Sequence, residues 1–151
     1  MTGKIDPIQE YIGTHTTPED EVLHMLYRET HLKMVNSRML SGPVQGRFLE
    51  FVSRMLSPQT ILEVGTFTGY SAICLARGLK PGGKLITIEN NDELTDFAQK
   101  YFHMAGLDDR IEMLTGNALE IIPKLAGPFD LVFIDAEKQE YLGYYKHIIS
   151  K

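Results

Sequence analysis

The sequence has a single cysteine, Cys74, among its 151 residues. One thiol can form neither an internal disulfide nor a cysteine-based zinc site. Residues 1–12 lack the apolar run of a signal peptide, and no apolar stretch approaches the roughly 20 residues that cross a bilayer. Together these absences predict a cytoplasmic protein without a membrane partner.

Positive charge is also scarce. The sequence has 15 Lys and Arg against 20 Asp and Glu, which gives a net charge of -5. Surfaces that neutralise many phosphates are basic, so nucleic acid is a poor partner and an RNA-methylating enzyme has little support. Repeats, low-complexity tracts and Gly/Ser linkers are absent too. With 43% hydrophobic residues, we expect one globular domain.

The pattern of apolar residues changes near Pro58. Residues 1–57 read as a helical segment, with Thr17 as a capping hydroxyl before Pro18 at the start of one helix. A second helix is predicted from about 44 to 56, and its apolar side carries Phe48, Phe51, Val52 and Met55. We expect this segment to pack on the rest of the domain.

Residues 58–151 alternate short apolar strands with helical stretches. The predicted strands cover residues 60–64, 84–88, 111–114 and 129–134. Strands that read as continuous apolar runs are usually covered by helices on both faces, as in a parallel sheet. The pattern therefore predicts an α/β fold whose ligand binds beyond the carboxyl ends of the strands.

A glycine-rich turn follows the first predicted strand. Residues 63–71 read EVGTFTGYS, in which Gly65 and Gly69 allow a sharp turn and a close approach of the backbone to a ligand. The helix that begins there would point free N–H groups at a carboxylate or phosphate. On spacing alone, a tight turn without any ligand is equally consistent with the motif.

An acidic residue ends the second predicted strand. Glu89 stands 24 positions after Gly65, where nucleotide-binding sheets hold ribose hydroxyls with a carboxylate. An NAD fingerprint reads G-x-G-x-x-G, whereas this turn reads G-x-x-x-G. The combination favours a nucleoside-type cofactor and disfavours an NAD-dependent dehydrogenase.

Polar side chains follow the third and fourth predicted strands. Asn117 could contact the polar edge of an adenine or cap the next helix, and the residues leave both open. Asp135 and Lys138, one helical turn apart, suit a divalent cation with a general base or electrostatic anchor. A capping Asp and a solvated Lys are the simpler interpretation of the same two residues.

Three segments taken together resemble a known family. Residues 39–46 (MLSGPVQG), 61–71 (ILEVGTFTGYS) and 133–138 (FIDAEK) are similar to those of the small bacterial O-methyltransferases related to catechol and caffeoyl-CoA O-methyltransferases. The resemblance implies S-adenosylmethionine (SAM)-dependent, metal-assisted methyl transfer to a hydroxyl of a small aromatic acceptor. It also implies the Rossmann-like doubly wound parallel sheet of the class I SAM methyltransferases.

The resemblance gives each matched position a role. The residues that would bind the cofactor SAM are Ser41, Glu63, Gly65, Phe67, Ser71, Glu89, Asn117, Ala118 and Asp135. Ser71 would receive the methionine carboxylate and Glu89 the ribose, while Met39 would line the methyl-transfer site. Asp135 would also bind Mg²⁺ or another divalent cation, and Lys138 would lie beside the acceptor hydroxyl. The catalytic residues are therefore predicted to be Lys138 and Asp135. The family more often has Asp at Asn117, so that contact is altered.

The resemblance further implies a longer chain. The family continues past its fourth strand into strands that carry an Asp–Asn pair of metal ligands, whereas this sequence stops at Lys151. Asp135 alone is a poor magnesium site. We therefore expect a C-terminally truncated methyltransferase, incomplete over residues 58–151, which retains much of the SAM site without competent metal-assisted catalysis.

Two further expectations concern assembly and alternative functions. Relatives of this type are commonly homodimers through N-terminal helices, and the amphipathic segment at residues 18–34 is compatible with a homodimer. A non-catalytic SAM-binding module is the alternative function. An NAD-type oxidoreductase is a third, disfavoured by the glycine spacing.

Overall fold

Four parallel strands form one sheet in the order β3–β2–β1–β4. The structure is a computed structural model that describes residues 7–151, apart from the side chain of Gln9. The strands are β1 (Thr60–Val64), β2 (Lys84–Glu89), β3 (Ile111–Thr115) and β4 (Leu131–Ile134). The predicted α/β fold with a parallel sheet is confirmed, and the bounds of β1, β2 and β3 agree with the predicted strands to within one residue.

Helices connect and flank these strands. Over the described residues the α-helices are α1 (Pro7–His15), α2 (Glu21–Lys33), α3 (Gly42–Leu56), α4 (Tyr70–Ala76), α5 (Thr95–Met104), α6 (Ala118–Ile121) and α7 (Tyr141–Ile148). None of them is long and apolar enough to cross a membrane. Residues 1–6, which belong to the predicted helical segment 1–57, lie outside the described residues.

The start of α2 differs from the prediction. Asp20, not Thr17, caps this helix, because the Asp20 side chain accepts a hydrogen bond of 3.1 Å from the Leu23 N–H. A carboxylate at the N-cap satisfies a helical N–H and also interacts favourably with the helix dipole. The helix α1 lies within the predicted helical segment 1–57, although no separate bounds were predicted for it.

Two hydrophobic clusters cover the two faces of the sheet. One contains Ile61 and Leu85 with buried residues of α2, α3, α4 and α5. The other contains Leu62 and Val64 with residues of α6 and α7. Successive side chains of a strand point to opposite faces, so β1 supplies both clusters. Helices on both faces leave the carboxyl ends of the strands as the place where a ligand can approach.

The apolar side predicted for α3 faces outward. Phe48, Phe51 and Met55 are 63%, 57% and 70% exposed. The buried side instead includes Gly46, where a Cβ would lie 2.4 Å from Tyr70 Cε1, so α3 packs closely on α4 through a small residue. The apolar stripe of α3 therefore remains available on the surface.

Candidate functional site

A cavity of about 500 Å³ lies at the carboxyl ends of the strands. The predicted site residues that line it are Met39, Ser41, Gly65, Phe67, Ser71, Glu89, Asn117, Ala118, Asp135 and Lys138. They come from the segment before α3, from the turn after β1 and the start of α4, from the end of β2, from the loop after β3 and the start of α6, and from the segment after β4. The fold thus brings residues almost 100 positions apart in sequence to one concave surface.

Positive backbone φ angles shape the turn between β1 and α4. Gly65 has a φ of +100° and Gly69 a φ of +92°, values that glycine adopts without strain. A Cβ on Gly65 would lie 2.3 Å from the carbonyl oxygen of Asp135, so only glycine allows the turn to approach the end of β4 so closely. Phe67 has a φ of +49° although it is not glycine. Surrounding interactions must therefore stabilise its backbone.

The end of β2 supplies those interactions. The N–H groups of Gly65 and Thr66 donate to the Ile88 carbonyl at 2.9 and 3.3 Å. The Glu89 carboxylate accepts hydrogen bonds from the Phe67 N–H at 2.7 Å and the Asn91 N–H at 3.0 Å. Each carboxylate oxygen has more than one lone pair, so Glu89 keeps acceptor capacity for a ligand in the cavity that it lines.

Glu63 differs from the other predicted site residues, because its side chain is fully buried and does not line the cavity. Its Oε2 accepts a hydrogen bond of 2.6 Å from Thr87 Oγ1, and its Oε1 has no partner within residues 7–151. Burial raises the pKa of Glu63 to about 7; the hydroxyls of Ser71 and Thr87 oppose this shift. The carboxylates of Asp135 and Glu89 add to it. In the register of the sheet, Glu63 of β1 lies opposite Thr87 of β2.

Asn117 acts as a helix cap. Its Oδ1 accepts a hydrogen bond of 2.8 Å from the Leu119 N–H at the start of α6. The residue is exposed and also lines the cavity beside Ala118. The structure therefore shows the capping role and leaves the predicted adenine contact as a prediction.

Asp135 and Lys138 lie on the more open side of the cavity, and both are exposed. The Asp135 backbone N–H donates to the Val64 carbonyl at 2.9 Å, which continues the pairing of β4 with β1. Across residues 7–151, no group of three or more His, Cys, Asp or Glu side chains could hold a metal ion. Mg²⁺ prefers six oxygen ligands in a near-octahedral arrangement. The described residues therefore do not fit a complete metal site, and Asp135 stays a predicted single ligand.

Thr66 and Thr87 are among the residues of this region that were not predicted. Thr66 lines the cavity, and Thr87 lies in β2 behind it, with both side chains buried. Their hydroxyl oxygens are 2.5 Å apart. A polar Thr87 inside an otherwise apolar strand was the available signal, but only the β1–β2 register shows which residues it meets.

The fold and the site define a class of protein. A parallel sheet with helices on both faces, a glycine turn after its first strand and an acidic residue at the end of the second are typical of Rossmann-like domains that bind nucleotide-type cofactors. The cavity lies where such cofactors bind.

Comparisons with known proteins agree with this class. The catechol O-methyltransferase of Niastella koreensis is 43% identical over 109 residues, which cover 70% of this chain and 49% of that protein. The caffeoyl-CoA O-methyltransferase of Eucalyptus gunnii is 31% identical over 151 residues, covering 96% of this chain and 61% of that protein. The O-methyltransferase TomG from Streptomyces achromogenes, solved in complex with SAM, is 33% identical with a TM-score of 0.87. The match covers 95% of this chain and 66% of TomG.

The family model described as O-methyltransferase matches residues 13–151. The chain therefore belongs to the O-methyltransferase family, and the resemblance seen in the sequence is confirmed. The chain spans about half the length of the Niastella relative.

Proposed function

We propose that this protein transfers the methyl group of SAM to a hydroxyl group of a small aromatic acceptor. One observation carries the proposal: the glycine turn, Glu89 and Lys138 line the same cavity at the carboxyl ends of the strands. Membership in the O-methyltransferase family supports the type of reaction. The catechol and caffeoyl-CoA enzymes among its relatives support an aromatic acceptor.

The cavity residues fit SAM in size and chemistry. A volume of about 500 Å³ lies within the range of roughly 300–1,000 Å³ that is usual for small-molecule sites. Glu89 would accept hydrogen bonds from the ribose hydroxyls, and Ala118 would border the adenine. Gly65 and Ser71 would face the methionine part, where the absence of a side chain on Gly65 allows close approach of the backbone.

When bound, SAM supplies an electrophilic methyl group, so the chemistry requires little from the protein beyond alignment and exclusion of water. Lys138 would act at the acceptor oxygen. It would either stabilise negative charge there or take the proton as a general base. Met39, which lines the cavity, would help to cover the acceptor.

The described residues do not by themselves form a metal site. Asp135 would offer one carboxylate to a divalent cation, and residues 7–151 provide no cluster that would complete its coordination. We therefore assign no step to a metal. Asp135 retains its proposed place beside the cofactor, at the tip of β4 and next to Gly65.

A labelling assay tests the proposal. The protein is incubated with methyl-labelled SAM and catechol, and label in the monomethyl ether is measured by chromatography. 1,2-Dimethoxybenzene, which has no free hydroxyl, is the control acceptor and should take up no label. SAM binding without transfer to any hydroxyl acceptor would contradict the proposal and favour a non-catalytic SAM-binding module.

We also propose a second copy of the chain as a partner, in a homodimer. The exposed apolar stripe of α3, with Phe48, Phe51 and Met55, supports this because contiguous exposed apolar surface commonly marks an interaction site. Phe48→Glu should shift a dimer to a monomer in analytical ultracentrifugation, and a wild-type monomer would contradict the proposal.

A cytoplasmic location is proposed on the single cysteine alone.

A further inference from the structure

Thr87 connects two parts of the site that are separate in sequence. In the parallel register of β1 and β2 it lies opposite Glu63, and neither side chain is exposed. The Thr87 hydroxyl donates its hydrogen to Glu63 Oε2 at 2.6 Å. A threonine hydroxyl has only one hydrogen to donate. With the Glu63 carboxyl ionised, or carrying its proton on Oε1, Thr87 must therefore accept, and Thr66 donate, in their contact of 2.5 Å.

The result is a directed chain of hydrogen bonds from Thr66 through Thr87 to Glu63. Thr66 lies directly between Gly65 and Phe67, the two residues of the turn whose φ angles are +100° and +49°. Its backbone N–H also donates to the Ile88 carbonyl at 3.3 Å. Two neighbouring residues of β2, Thr87 and Ile88, thus hold the same residue of the turn by its side chain and by its backbone.

We propose that Thr87 is a positioning residue of the SAM site: its hydroxyl holds Thr66 and Glu63 so that the glycine turn keeps the shape that receives the cofactor. This inference rests on the proposed function. A turn with a left-handed non-glycine residue is not the intrinsic preference of the backbone, so its shape depends on such contacts. Thr87 itself does not line the cavity and acts only through its two partners.

Thr87→Val tests this directly, because valine has nearly the shape of threonine without the hydroxyl. The substitution leaves Glu63 Oε2 and the Thr66 hydroxyl without their shared partner, in addition to the unpartnered Oε1 of Glu63. Buried polar groups that lose a partner are unfavourable and rearrange. We expect SAM affinity to fall about tenfold, which corresponds to the loss of one such interaction. Thr87→Ser restores the hydroxyl and should restore the affinity.

Ser53→Ala is a matched control. The Ser53 hydroxyl is also buried and donates to the Leu75 carbonyl at 2.6 Å. Neither residue lines the cavity. We expect this variant to lose thermal stability as Thr87→Val does, while its dissociation constant for SAM stays within about twofold of the wild type.

The experiment is isothermal titration of the 151-residue chain and its variants with SAM. Thr66→Val and Thr87→Val should each weaken SAM binding. The double variant should bind SAM no more weakly than Thr87→Val alone, because both substitutions break the same chain of hydrogen bonds. Additive effects, or unchanged affinity in Thr87→Val, would overturn the inference. Should Thr87→Val fail to fold, Thr66→Val is still expected to weaken SAM binding and Thr87→Ser to leave it unchanged. An unchanged SAM affinity in Thr66→Val would then overturn the inference. Absence of SAM binding by the folded wild type would instead overturn the proposed function.

Discussion

The two sides of the cavity differ in how firmly the chain holds them. On the side of β1 and β2, Thr66, Thr68 and Tyr70 are at most 2% exposed, and hydrogen bonds hold each residue of the turn from Gly65 to Phe67. On the side of β4, all four strand residues are half-buried, and Asp135 and Lys138 are exposed. The proposed cofactor side is therefore preorganised, whereas the described residues leave the proposed acceptor side open.

The order of the cofactor side depends on residues far away in sequence. The Thr30 hydroxyl of α2 donates to Thr68 Oγ1 at 3.1 Å, and the Tyr70 hydroxyl donates to Glu19 Oε2 at 2.7 Å. Helix α2 and the segment before it thus bind the turn and the start of α4 from outside, while β2 binds the turn from inside. In contrast, β4 is an edge strand whose hydrogen-bonded neighbour within the described sheet is β1.

The largest effect is expected at the point where the two sides meet. Gly65→Ala should destabilise the protein by at least about 3 kcal/mol and abolish SAM binding, because the new Cβ would clash with the Asp135 carbonyl at 2.3 Å. Gly82→Ala is the control, since Gly82 also has a positive φ (+75°) but has nothing within 4 Å. It should cost only about 1 kcal/mol in urea unfolding. Equal losses in the two variants would contradict the close approach.

The next prediction separates the two sides by function. Lys138→Ala should lower kcat by about 100-fold while the dissociation constant for SAM remains unchanged, because we propose that Lys138 acts on the acceptor and not on the cofactor. Steady-state kinetics and SAM titration measure the two quantities. A parallel loss of SAM affinity would place Lys138 on the cofactor side instead. Lys138→Arg keeps the positive charge, but arginine stays protonated and therefore cannot take a proton from the acceptor. Retained activity would identify an electrostatic anchor, and lost activity a general base.

A pH series tests the buried charge on the cofactor side. The pKa of Glu63 is raised from 4.5 to about 7 in the folded protein, so the folded state binds more protons than the unfolded state between these values. This contribution destabilises the fold progressively as pH rises from 4.5 through 7. Glu63→Gln removes it, so the stability of this variant relative to wild type should rise by about 2–3 kcal/mol between pH 5 and pH 8. A difference that does not change with pH would contradict the assignment.

The smallest effect is expected on the exposed face of α7. Leu142 is 65% exposed, so Leu142→Gln should change the stability of the 151-residue chain by no more than about 0.5 kcal/mol. Leu26→Ala, at a position with no exposure, should cost about 2–5 kcal/mol. Thermal unfolding of both variants sharpens the contrast between the covered and the open parts of the molecule. A large loss of stability in Leu142→Gln would contradict the exposed position of this side chain on α7.

Local signals explain what the sequence could predict. The strands β1 to β3 alternate with helices in a clear apolar pattern, and Glu89 follows the glycine turn at a spacing typical of nucleotide-binding sheets. These features depend on neighbouring residues or on a fixed spacing, so they can be read without the fold. The resemblance to O-methyltransferases added the interpretation of Asp135 and Lys138.

Features that depend on register or on packing partners could not be predicted. The hydrogen-bond chain from Thr66 through Thr87 to Glu63 depends on the exact pairing of β1 with β2, which no sequence motif encodes. An apolar stripe indicates a packing face of a helix but does not identify the packing partner. The outward orientation of Phe48 and its neighbours on α3 could therefore not be predicted. Asn117 was ambiguous for another reason: its side chain caps α6 and its position also borders the cavity.

The central claim is that residues 65–71 and Glu89 form a SAM site within this chain. Isothermal titration of the 151-residue protein with SAM, with NAD as the control ligand and Glu89→Ala as the control variant, tests it most directly. We predict saturable SAM binding that is weakened at least about tenfold in Glu89→Ala and no binding of NAD. A folded protein that does not bind SAM, or that binds it equally well without the Glu89 carboxylate, would contradict the claim.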